Sequence, residues 1–172
     1  MKYLILTLLI ITSINADNLK PVPFVSASKF SGLWYEIART YNSYQDKCVA
    51  STVEYRLVKP LEYDVFNRCF DTTIGGDLIE FSGTAEPEQG ESMSSIDMTY
   101  FWIFTKNYNV YYLESDYSYA VVADEDFEQV WIMSRKPFMP KKKLSEITTY
   151  LSGSMDLKNF IYTPQDKKGR YQ

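Results

Sequence analysis

Between residues 33 and 136 the chain runs as short stretches in which β-branched and aromatic residues alternate with polar ones, each closed by Gly, Pro or a polar cluster. Alternation with a period of two marks a strand with one buried face. Eight such stretches stand out, at 33–41, 48–58, 62–70, 77–86, 93–101, 108–115, 117–124 and 129–136. Lys59-Pro60-Leu61-Glu62, Gly75-Gly76, Pro87, Gly90 and Pro137 punctuate them. Eight short strands with brief connections predict an all-β antiparallel meander, either a sandwich or a barrel. After Pro140 the period changes. Leu144, Ile147 and Leu151 recur at spacings of three and four, which predicts one amphipathic helix of about three turns, stopped near Gly153. A short final strand follows at 160–163, then a charged tail.

The first sixteen residues stand apart. Met1-Lys2 is a short positive start, 3–11 is apolar, and Ala16 is a small residue at a cut site. The segment reads as a secretory signal peptide, an uncleaved N-terminal anchor being the alternative, with 17–172 as a single domain and an extracellular or secretory-lumen location. The composition supports a β-rich protein: 15 Tyr, 10 Phe and 3 Trp in 172 residues suit pleated, half-buried surfaces. There is no His, which excludes His metal ligands and Ser-His-Asp or Cys-His catalysis within the chain; no metal and no cofactor is expected. A net charge of −4 without a basic stripe argues against nucleic-acid binding. Two cysteines, Cys48 and Cys69, predict one disulfide in an oxidising compartment, two buried free thiols being the alternative.

Eight antiparallel strands can close on themselves and abolish their edges. The interior of so small a barrel is just wide enough for side chains or one small ligand. Unbroken alternation would turn Val53, Tyr55, Val65, Asn67, Val110, Tyr112, Trp131 and Met133 inward. These make an apolar, aromatic wall with a few polar handles, the composition of a small-molecule site. The same residues would equally fill a dry core, and composition does not separate the two.

Three motifs are more specific. Phe30-Ser31-Gly32-Leu33-Trp34-Tyr35-Glu36-Ile37-Ala38-Arg39 resembles the first signature of the lipocalin family. Glu114-Ser115-Asp116-Tyr117 resembles the second, with Ser115 where the family usually has Thr, and the run 130–137 resembles the third. The resemblance spans about Phe24 to Thr163 and is strongest to the bacterial lipocalin and apolipoprotein D-like branch. It implies an eight-stranded up-and-down barrel with the C-terminal helix packed on it. Gly32, Trp34, Asp116, Tyr117 and Arg135 take structural roles, the Arg135 guanidinium lying over the Trp34 ring.

The resemblance also implies a function: a secreted carrier of a small hydrophobic ligand, a fatty acid or lysophospholipid, held at Tyr55, Asn67, Phe101, Val110, Tyr112, Trp131 and Met133. A pigment, sterol or tetrapyrrole is the alternative ligand. Phe101, Trp102, Ile103 and Phe104 interrupt the strand alternation where the family topology places the open mouth. They would meet a membrane or lipoprotein surface, form a lid over the ligand, or be buried by a bulge in the fifth strand. A monomer or weak dimer is expected. Some lipocalins isomerise prostaglandins through a lumen thiolate, but neither cysteine here has a His base, so no catalytic residue is assigned. With no C-terminal Cys, the family's usual pairing is closed to Cys48, and Cys69 is its one partner. Strict alternation puts the two on opposite faces, so their bond requires a bulge.

Overall fold

The computed structural model describes residues 19–168, so the segment read as a signal peptide lies outside the described residues. All eight expected strands are present: β1 (Gly32–Arg39), β2 (Cys48–Lys59), β3 (Glu62–Asp71), β4 (Leu78–Pro87), β5 (Ser95–Tyr100), β6 (Phe104–Leu113), β7 (Tyr119–Ala123) and β8 (Val130–Ser134). Each pairs antiparallel with the next. β1 pairs with both β8 and β2, which closes the sheet into a barrel. β9 (Ile161–Tyr162) pairs with β1 at Ala38 and Arg39. α1 (Ala27–Phe30) is a single turn before β1, and α2 (Lys141–Leu151) is the expected helix. α2 turns Ile147 and Leu151 into an outer apolar layer with Ile37, Tyr111, Val121 and Ile132.

Bulges in the sheet decide which side chains enter the barrel. A bulge adds one residue to one strand and resets the alternation beyond it. In β2 the register against β3 shifts between Val49 and Thr52. There Ala50 adopts φ +51°, and its amide donates to the Pro164 carbonyl at 2.7 Å. The shift brings Cys48 to the same side as Cys69, with Cα atoms 5.4 Å apart, and the two form a disulfide. In β6 the register shifts between Val110 and Tyr112, which sends both Tyr111 and Tyr112 to the outer layer. In β1 the shift between Glu36 and Ala38 brings Glu36 and Arg39 to one side. Three residues apart on a regular strand, these two would face opposite ways.

One end of the barrel is closed. Trp34 is fully buried, its ring 5.0 Å from that of Phe30, and its indole N–H donates to the Phe30 carbonyl at 2.9 Å. The Arg135 guanidinium lies 3.8 Å above the Trp34 ring. It donates to the carbonyls of Lys29, Phe30, Leu33 and Tyr117, which ties the end of α1 and the start of β1 to the β6–β7 turn. Gly32 has φ +95°, and a Cβ there would stand 3.4 Å from the guanidinium. Asp116 caps the β6–β7 turn by accepting from the Ser118 amide at 2.9 Å, with Tyr117 at φ +60°. Tyr63 completes this floor by donating to the Ala27 carbonyl at 2.6 Å.

Candidate functional site, a cavity in the barrel

Phe30, Trp34, Tyr63, Met93 and Ile96, all fully covered, crowd the closed half of the lumen. Toward the open end the inward side chains, among them Val53, Met98, Val122 and Met133, leave a cavity of about 740 Å³. Small-molecule sites span about 300–1,000 Å³, so the space is ligand-sized. The side chains thus leave a cavity in the lumen and do not fill it as a packed core.

Of the residues singled out in the sequence, Tyr55, Asn67, Phe101, Trp131 and Met133 lie on the cavity wall. Val110 belongs to the lumen cluster but is fully covered within it and has no cavity surface. Tyr112 is not in the lumen. The β6 bulge turns it outward, where its ring meets that of Tyr150 on α2 at 5.7 Å and its hydroxyl donates to Glu114 at 2.7 Å. The inward alternation of β6 holds up to Val110 and changes phase at the bulge that follows.

Sequence reasoning missed several cavity residues. Met98, Tyr100 and Tyr108 follow the inward alternation of β5 and β6 and were legible in principle. The polar group on the β1 side was not. There Glu36 accepts from Arg39 at 2.8 Å, from Gln45 at 2.7 Å and from Thr163. Gln45 in turn accepts from the Trp131 indole N–H at 3.0 Å and from Asn42 at 2.8 Å. This network exists only because the β1 bulge joins Glu36 to Arg39 and the β1–β2 loop folds back over them. It leaves the one buried carboxylate of the wall paired with a buried cation. The other charged wall residue, Lys106, is ion-paired with Asp124 at 2.8 Å and stands half-exposed toward solvent.

The lumen is otherwise a chamber of phenols. The Asn67 amide donates to the Tyr100 hydroxyl, and Tyr108 donates to Gln129, each at 2.8 Å. Burial raises all of their pKa values. It pushes Tyr100 up to about 12, partly offset by the Asn67 hydrogen bond, and raises Tyr55, Tyr63 and Tyr108 further still. At neutral pH these groups are uncharged and offer neutral hydrogen bonds only.

The mouth is apolar. Tyr100 and Phe104 pair across a three-residue turn in which Phe101 and Trp102 both adopt positive φ, +52° and +61°. The turn and its flank are exposed: Phe101 60%, Trp102 94%, Ile103 75% and Phe104 65%. They are therefore displayed, not buried by a bulge in the fifth strand. Tyr44 of the β1–β2 loop is exposed beside the same cavity.

The profile of the lipocalin-like domain family matches residues 25–165. The lipocalin-named protein R877 of Acanthamoeba polyphaga mimivirus is 30% identical over 141 residues, covering 77% of this chain and 80% of its own. The outer membrane lipoprotein Blc of Vibrio cholerae is 28% identical over 151 residues, covering 87% and 88%. Among solved structures, insecticyanin from the tobacco hornworm Manduca sexta superposes with a TM-score of 0.68 at 19% identity, covering 88% of this chain and 86% of that one, a likeness of fold.

Proposed function

Given that the chain belongs to the lipocalin-like family, we propose that it binds one small hydrophobic molecule of the fatty acid or lysophospholipid class in the barrel lumen and carries it outside the cytoplasm. The observation that carries the reading is the cavity of about 740 Å³, lined by Tyr55, Asn67, Phe101, Trp131 and Met133. Each buried methylene stabilises the complex by about 0.8 kcal/mol, so a chain of about fifteen gains roughly 12 kcal/mol gross. Association costs consume several kcal/mol of that, which leaves a micromolar to nanomolar affinity. A charged headgroup would stay at the mouth, near Lys106, because the wall offers no uncommitted cation deeper in among the described residues.

The aromatic mouth supports a second element of the proposal, that loading and unloading occur at a lipid surface. Phe101 and Trp102 hold a left-handed conformation that costs bulky residues roughly 1–2 kcal/mol each, at a tip where Gly or Asn would fold more easily. Strain of this kind persists where function retains it. The relative from Vibrio cholerae is named an outer membrane lipoprotein, and residues 1–16 here are read as an export signal. Among the described residues no helix is long and apolar enough to cross a membrane. Catalysis of the thiolate type has no group to run on, since both cysteines are consumed in one disulfide.

Mass spectrometry of organic extracts from natively purified protein tests the reading. One acyl-chain lipid at near-equimolar amount is expected. A polycyclic or coloured species would transfer the lumen to the pigment or sterol class, and an extract without any lipid from protein that also refuses added lipid would remove the carrier function.

A further inference from the structure

Four phenols face the lumen, and three of them have hydrogen-bond partners in the protein. Tyr63 donates to Ala27, Tyr108 donates to Gln129, and Tyr100 accepts from Asn67. Tyr55 is the exception: it is only 2% exposed, it lies on the cavity wall, and its hydroxyl has no hydrogen-bond partner among the described residues. Its ring packs 5.3 Å from Phe30 and 5.4 Å from Tyr63, the side chains that form the floor. Its free hydroxyl therefore stands at the inner end of the cavity, opposite the mouth. The hydroxyl keeps surface toward the cavity, so a guest that covers it without pairing it would bury an unsatisfied donor, which is costly. The nearby Tyr100 hydroxyl, which accepts from Asn67, keeps its own proton to offer into the same space.

We infer that Tyr55 is a ligand-recognising group, and that the lumen takes acyl chains carrying an uncharged oxygen, a hydroxyl or carbonyl, on the end that enters first. This rests on the lumen being the binding site and specifies what its inner end accepts. A wholly apolar floor would reject such an oxygen by on the order of tenfold or more, because the ligand would surrender its hydrogen bonds to water. Tyr55 restores one of them. A carboxylate does not suit this position: the cation whose charge acts on Tyr55, Arg135, is already committed to four main-chain carbonyls, and an uncompensated buried charge costs far more than a hydroxyl.

Hexadecanoic acid and ω-hydroxyhexadecanoic acid, titrated calorimetrically into the wild-type protein and into Tyr55→Phe, make the test. The wild type is expected to bind the two acids within about threefold of each other. In Tyr55→Phe the ω-hydroxy acid should bind with about a tenth or less of the affinity that the same variant shows for hexadecanoic acid. The inference is overturned if the wild type discriminates against the ω-hydroxy chain as strongly as the variant does. The wild-type ratio alone decides the matter if the variant folds poorly. Failure of the wild type to bind either acid would instead overturn the lumen as a lipid site, and this inference with it.

Discussion

The guanidinium of Arg135 lies 3.8 Å over the indole of Trp34 and at the same time donates to four main-chain carbonyls at the closed end of the barrel. One planar, five-donor group thus fastens α1, the start of β1 and the β6–β7 turn together. A lysine keeps the charge but has neither the fork nor the stacking plane. Arg135→Lys should lower unfolding free energy by about 2–3 kcal/mol, read as a drop in urea midpoint at unchanged slope. An unchanged midpoint would mean that the floor holds without this clamp.

The lumen phenols predict an alkaline limit. Burial raises the pKa of Tyr55, Tyr63, Tyr100 and Tyr108 in the folded chain above the ordinary value of 10.0, Tyr100 to about 12. Their contribution to stability is therefore complete below pH 10 and is lost as the pH climbs through the folded values. Phenolate absorbance should show these groups ionising late and together with loss of near-ultraviolet dichroism. Full ionisation near pH 10 in a chain that stays folded would show that the lumen is open to water.

The Cys48–Cys69 bond links positions 21 apart in sequence, a loop whose closure is worth about 3 kcal/mol. The paired substitution Cys48→Ser and Cys69→Ser should cost about that much in denaturant unfolding and leave lipid binding in place, since neither sulfur lines the cavity. Thiol titration of the denatured wild type should find no free thiol.

At the mouth, stability and membrane contact should trade against each other. Phe101→Asn with Trp102→Gly puts residues suited to positive φ into the β5–β6 turn. The expected result is a gain of about 1–2 kcal/mol in unfolding free energy together with loss of flotation on liposomes. Retained flotation would take the turn out of any lipid contact.

The strands were readable because alternation, turn residues and the change of period after Pro140 are local signals. So were the floor residues Gly32, Trp34 and Arg135, whose motifs carry them. The phase of the alternation was not local. Whether Tyr112 faces in or out, whether Cys48 can reach Cys69, and whether Arg39 meets Glu36 each depend on one extra residue at a bulge. Those residues, Tyr111, Ala50 and Ile37 with their neighbours, look like ordinary strand positions in sequence. What holds the bulges lies far along the chain: the Ala50 amide is paired by the carbonyl of Pro164, and the Ile37 carbonyl by the amide of Thr163. The same distance hid Gln45, whose contacts with Glu36 and Trp131 appear only once the barrel is closed.

Met133 sits on the cavity wall, almost fully covered, in a strand held against β1, where it stands opposite Glu36. A lysine there can reach along the lumen and remain partly solvated, so the barrel should still form while its apolar bore is spoiled. Calorimetric titration with a lysophospholipid should give a stoichiometry near one and micromolar or tighter affinity for the wild type, and at least about a hundredfold weaker binding for Met133→Lys with native circular dichroism. Undiminished binding by the folded variant, or several lipids taken up per chain by the wild type, would contradict a single guest inside the barrel.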